Sequence, residues 1–232
     1  MSSAEFAVVA DGLTRRFGLV YAVRDLSLSL PRSTVLLVIG PNGSGKTTLL
    51  RLLATALVPT AGRASVFGAD LARNPDAVRA VTAFVPTGSG TYDGLTAREN
   101  LAFAAAMSGA RVEPLEWLER AGLGEVVDRP VRTFSQGMKR RLTLARAWLR
   151  APRLLLLDEP FSGLDTDGVR LIDALIADVK SHDGSIIIAT HEWERGMALA
   201  DRMITLAGGR VVESSALSSD PRSELAAARG PR

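Results

Sequence analysis

At 232 residues, with 47% apolar side chains, the chain is long enough to bury a full core as one sizeable α/β domain without covalent staples. It contains no cysteine, which excludes disulfides. The formal charge is +3, and the basic residues, nearly all Arg, are scattered with few aromatics among them, so the balance argues against nucleic-acid binding.

Residues 1–10 lack a basic start and a long apolar stretch, so no signal peptide is expected. No uninterrupted apolar run approaches the ~20 residues of a membrane span; if the chain works at a membrane, another chain crosses it. Residues 6–10 and 22–30 alternate apolar with polar, as half-exposed antiparallel strands do. Phe17, between them, reads on its own as ordinary core.

Residues 35–48 read VLLVIGPNGSGKTT, a five-residue apolar strand running straight into G-x-x-x-x-G-K-T. The apolar helix predicted to follow, over 46–57, points its first N–H groups at the loop, where anionic oxygens would lie. Gly40, Gly43 and Gly45 let the backbone curl around phosphate, Lys46 supplies a point charge for the β and γ phosphates, and Thr47 offers a hydroxyl to Mg²⁺. With Asn42, Ser44 and Thr48 they make a nucleoside triphosphate site.

Short strands are predicted at 63–68 and 81–86, then a loop over 87–94. Thr96 and Glu99 form a capping box that opens an alanine-rich helix through Met107, and a second helical segment spans 113–121. Residues 88–150 thus form a mostly helical insert, expected as a separate subdomain. Its last helix, over 135–150, has Ser135 as N-cap yet carries Lys139, Arg140 and Arg141 near its positive end. Cations there oppose the helix dipole, so they are not placed for helix stability; they make either a solvated face or an N-terminus that, with its Ser, is kept for an anion.

A buried strand over 153–158 (RLLLLD) ends in Asp158 and Glu159. An acidic pair at the carboxyl end of such a strand sits where open α/β sheets bind ligands. Asp158 suits Mg²⁺, directly or through water, and Glu159 is then the candidate to orient or deprotonate water. Asp165 reads as a helix cap or as something more. A further buried strand, 185–190, ends directly before His191, which is placed to reach a phosphate. Residues 202–213 close the domain as a hairpin, and 214–232, rich in Ser, Ala, Arg and Pro, read as a mobile tail.

This ordered set resembles the ATP-binding cassette (ABC) ATPases over about residues 5–213. The matching pieces are the phosphate loop, Phe134-Ser135-Gln136-Gly137-Met138, the strand ending in Asp158 and Glu159, the loop 162–165, and His191. The resemblance implies a phosphate-loop NTPase core with an N-terminal antiparallel β subdomain and an inserted helical subdomain, using ATP and Mg²⁺. It implies that Phe17 stacks on adenine, Glu159 is the catalytic carboxylate, and His191 touches the γ-phosphate. Ser135 and Gly137 would contact the γ-phosphate of ATP held by a second subunit in a head-to-tail dimer, of this chain or a paralogue, with the Gln136 side chain near that phosphate; Asp165 is counted among the cofactor-binding residues. Where the family carries a metal-binding Gln this chain has Thr87, whose shorter reach implies a weakened metal contact and altered coupling. Gln136 likewise stands where the family usually has Gly.

The resemblance further implies an ATPase subunit on the cytoplasmic face of the membrane, driving transport through separate membrane subunits. Stretches such as YDGLTARENLAF, VRTFSQGM and DEPFSGLDTDG look like ATPases of the bacterial haem exporter of cytochrome c maturation. A soluble cassette acting on DNA or ribosomes is the competing reading; the coiled-coil or zinc insertions typical of those proteins are not seen. A third is a nucleotide-binding regulator that does not hydrolyse.

Overall fold

The computed structural model describes residues 5–88, 90–109 and 113–217. A long antiparallel hairpin, β1 (Phe6–Phe17) and β2 (Val20–Pro31), opens the fold. β1 continues well past Ala10, where the simple alternation ends: Gly12 takes a positive φ of 59°, and register shifts around it return Leu13 to the core. β4 (Ala61–Val66) pairs with β1 and β5 (Ala69–Asp70) with β4, giving a four-stranded sheet in the order β2-β1-β4-β5.

The second sheet is built on β3 (Val35–Ile39), β6 (Thr82–Val85), β7 (Leu154–Asp158), β8 (Ser185–Ala189) and β9 (Arg202–Ala207), all parallel. β10 (Arg210–Ala216) closes one edge antiparallel to β9, so the order is β10-β9-β3-β8-β7-β6. The strand therefore takes in residues 214–216, expected in the tail. The rest of that expected tail, from 218 on, lies outside the described residues.

Both faces of the parallel sheet are covered, which is why its strands read as unbroken apolar runs. Val35, Leu37, Leu155, Leu157, Ile186 and Ile188 point to one core. Leu36, Val38, Leu154, Leu156, Ile187 and Ala189 point to the other, where α1 (Lys46–Leu53) and the antiparallel sheet pack. Each such side chain is worth about 1.5–3 kcal/mol of burial, so a slip of one residue along any strand is strongly disfavoured.

The first core is roofed by α3 (Ala97–Ser108), α4 (Pro114–Arg120), α5 (Gln136–Trp148) and α6 (Thr166–Ser181). α3 starts at the predicted capping box: Thr96 Oγ1 accepts from Glu99 N–H, and the Glu99 carboxylate accepts from Thr96 N–H. α1 ends at Leu53, short of the predicted 57, because Ala54 caps it and Thr55 turns to φ 56°. Two seven-residue helices, α2 (Pro75–Val81) and α7 (Trp193–Leu199), were not predicted.

Candidate functional site

The carboxyl ends of β3, β6, β7 and β8 lie side by side, and each delivers a predicted functional residue. From β3 the chain enters the loop 40–45. Gly40 (φ 147°) and Gly45 (φ 108°) are obligatory there: a Cβ would lie 2.2 Å from Leu206 O at the first and 2.2 Å from Ala22 O at the second. The loop is thus wedged between β9 and β2, and Gly209 N–H donates to Ser44 O at 3.0 Å.

Gly45 caps α1 through backbone alone, with no side chain on its first N–H groups and no acidic residue in the first turn. Those donors, and the positive end of the dipole, are left for an anion. Ser44 adds a sharper sign: it is 3% exposed, and its Oγ is a buried polar atom with no partner. Lys46, also buried, curls back so that Nζ donates to Gly40 O (2.7 Å) and Pro41 O (3.2 Å). An oxygen-rich anion would satisfy all three groups.

Asp158, 2% exposed, accepts from Thr47 Oγ1 at 3.1 and 2.9 Å on its two oxygens, and from Thr87 Oγ1 at 3.0 Å. The Thr87 hydroxyl reaches the same carboxylate as that of Thr47. One carboxylate with two hydroxyls is an all-oxygen donor set that fits Mg²⁺ and does not fit a soft metal.

Glu159 is held differently. Its φ is 46°, a left-handed conformation that costs a non-glycine residue about 1–2 kcal/mol. Its N–H donates to Ala189 O at 2.7 Å. Its Oε2 accepts from Thr190 Oγ1 (3.0 Å) and His191 N–H (3.2 Å) and lies 2.8 Å from His191 Nδ1. With Oε2 so occupied, Oε1 is the oxygen free to take a water. The cleft over these residues measures about 450 Å³, with Phe17 at one end and Glu159 at the other. His191, Ser162 and Gly40 line its continuation. Phe17 is 46% exposed, with Arg15 4.6 Å from its ring centroid, so it is not core. Thr48 lines the cleft with Asn42 and Gly43.

Ser135, Gln136, Gly137 and Asp165 are not among the residues lining that cleft. Ser135 caps α5, its Oγ accepting from Met138 N–H at 3.2 Å, and with Gln136 it is exposed. Asp165 caps α6, accepting from Gly168 N–H at 2.9 Å, and pairs with Arg141. The Arg141 guanidinium, helped by the Gly168 N–H, holds the Asp165 carboxyl below the usual carboxylate range. The cations of α5 are used inside the chain. Lys139 pairs with Asp93 at 2.9 Å, Arg141 with Asp165, and Arg140 turns inward. Sequence reasoning missed Arg140 and Thr190.

The profile of the family described as "ABC transporter" matches residues 23–162. The chain belongs to this family. It is 35% identical over 213 residues to the ABC transporter ATP-binding protein NatA of Bacillus subtilis (strain 168), covering 88% of this chain and 86% of that one. Over 169 residues it is 39% identical to the cytochrome c biogenesis ATP-binding export protein CcmA of Pseudomonas putida (strain GB-1), covering 72% and 80%. Among solved structures, a dimeric ATP-binding cassette in a post-hydrolysis state, bound to ADP and Pi, superposes with a TM-score of 0.82. That likeness covers 92% of this chain and 100% of that one at 24% identity, and speaks to the fold. As a member of the ABC family the chain is an ATP-binding domain and an ATPase. Among the described residues no helix is long and apolar enough to cross a membrane.

Proposed function

We propose that this ABC ATPase works as a pair of cassettes on the cytoplasmic face of a membrane, powering export through separate membrane subunits. The observation that carries the hydrolytic part is the division of labour between adjacent carboxylates. Asp158 is fixed by two hydroxyls at the metal pole, and Glu159 is turned out of the strand with one oxygen engaged and one open. Mg²⁺ held by Thr47 and Asp158, with Thr87 beside them, would offset the charge of the β and γ phosphates. Lys46 and the α1 N–H groups hold the phosphate oxygens, Ser44 donates into the same cradle, and Phe17 offers a ring face to the base. Glu159 orients and accepts a proton from the attacking water, and His191, which touches Glu159, steadies it. Ser135 and Gly137 close the site from a second cassette.

A surface suited to the membrane partner is lined by Pro86, the residue before Thr87. Tyr92, Phe103 and Met107 are exposed around a groove of about 570 Å³, rimmed by Arg79, Arg146 and Arg150 and with no carboxylate in its lining. Its charge suits an apolar segment of the membrane subunit that carries an acidic residue. Haem or another component of cytochrome c maturation is the cargo the quoted stretches favour, and the 39% likeness to a cytochrome c biogenesis export ATPase supports it. Co-purification with haem-handling membrane subunits tests that cargo.

The test of the hydrolytic reading is Glu159→Gln. It is expected to lower kcat about a hundredfold or more while ATP still binds, leaving the ATP-bound dimer long-lived in gel filtration. An unchanged kcat would favour the non-hydrolysing regulator instead.

A further inference from the structure

Arg140 sits at the fifth position of α5, the helix whose exposed start carries Ser135 and Gly137, yet it is 5% exposed. Its guanidinium crosses to the active edge of the sheet. There Nη2 donates to Asp158 O at 3.1 Å and to Glu159 O at 3.2 Å, and Nη1 donates to Pro86 O, immediately before Thr87. Two backbone segments that bear functional side chains, one before Thr87 and one at Asp158–Glu159, thus meet on one planar group.

Two features separate this from a routine buried ion. Among the described residues no carboxylate side chain bonds it; the acceptors at its two Nη atoms are main-chain carbonyls. Burial pushes its pKa down to about 10, with the Asp158 charge acting the other way, so it remains a cation at neutral pH. Moreover, the Asp158 and Glu159 carbonyls lie on either side of the Cα of Glu159, whose backbone is strained at φ 46°. A left-handed Glu persists only where its surroundings over-determine it. Thr190 and His191 hold its side chain, and Arg140 holds the main chain on both sides of its Cα.

We propose that Arg140 is the positioning residue for Glu159, fixing the Asp158–Glu159 backbone from the helix that faces the second cassette and tying it to the segment before Thr87. This rests on the reading of Glu159 as the carboxylate that orients water. Arg141 fastens the next position of the same helix to Asp165, so α5 grips the segment 159–165 at both ends.

The test is a cycle of single-turnover ATP hydrolysis by the full chain, with bound nucleotide per chain measured in parallel. Arg140→Met should lower the rate roughly tenfold to a hundredfold, as displacement of a reacting group does, with ATP affinity within about twofold. Arg140→Lys, able to serve one carbonyl at a time, should recover part of the loss. In the Glu159→Gln background, Arg140→Met should change the residual rate by less than about twofold, because an effect transmitted through Glu159 vanishes with it. An equal loss in both backgrounds, a loss that merely follows a fall in bound nucleotide, or no loss at all would overturn the proposal. Should the Met variant not fold, the Arg140→Lys cycle carries the same comparison with a smaller expected loss. If Glu159→Gln by itself keeps the native rate, the reading of Glu159 fails and takes Arg140 with it. If Glu159→Gln is impaired while Arg140→Met is native, only the role of Arg140 fails.

Discussion

The phosphate-loop pole and the Ser135 turn are both helix N-termini, yet they are built in opposite ways. At the first, α1 begins from Gly45 with no side-chain cap, and the nearby hydroxyl of Ser44 and ammonium of Lys46 are buried and turned inward. At the second, α5 begins from Ser135, which already satisfies one of its own N–H groups, and the cations behind it are bound to other parts of the chain. One pole is a complete receptor for phosphate within a single chain. The other is an exposed surface outside the cleft, which we propose contributes when a second molecule brings a ligand to it. On the proposed reading, the difference assigns affinity for nucleotide and rate of hydrolysis to different parts of the molecule.

The largest expected effect separates those two quantities. Replacing Ser135 by Arg and Gly137 by Asp together should lower hydrolysis about a hundredfold or more. Nucleotide affinity by calorimetry should stay within about threefold, because the donors lost serve the partner's phosphate rather than the chain's own. Lys46→Ala should do the reverse, weakening ATP binding about tenfold to a hundredfold, the range for losing a hydrogen bond to a charged group. Should both variants weaken binding equally, the two poles would not be distinct. The smallest effect is at Thr87→Val, which removes a hydroxyl from Asp158 and should raise the Mg²⁺ needed for half-maximal hydrolysis about fivefold, with ATP affinity at saturating Mg²⁺ little changed. A Mg²⁺ requirement identical to the native one would place Thr87 outside the metal pole.

Much of the first pole was legible because its chemistry is local. Strand, loop and helix follow one another in residues 35–53, and the runs LLLL and SIII announce strands buried on both faces. The metal pole was less so: the shorter Thr87 side chain implied a weakened metal contact, and nothing in the local sequence showed that the end of β6 brings its hydroxyl to Asp158. Phe17 read as core because an aromatic at a strand end is usually buried; here β1 carries it out over the cleft. α2 had a sign in Pro75 at its start, while α7, without a side-chain cap at Glu192, had none. Arg140 was hidden among Lys139 and Arg141 as one of three cations. Its spacing from Leu144, Ala147 and Trp148 placed it on the buried face of α5, and that periodicity was the available signal.

The measurement that bears most directly on two cassettes sharing ATP is complementation between two disabled chains. One carries Lys46→Ala; the other carries Ser135→Arg with Gly137→Asp. Alone, each should hydrolyse ATP at a trace of the native rate. Mixed, they should form heterodimers in which one site joins an intact Lys46 to an intact Ser135, and activity should return to about a quarter of native, since half the dimers are mixed and each has one good site of two. Native-rate hydrolysis by the Ser135→Arg, Gly137→Asp chain on its own, unchanged on dilution, would contradict the shared site.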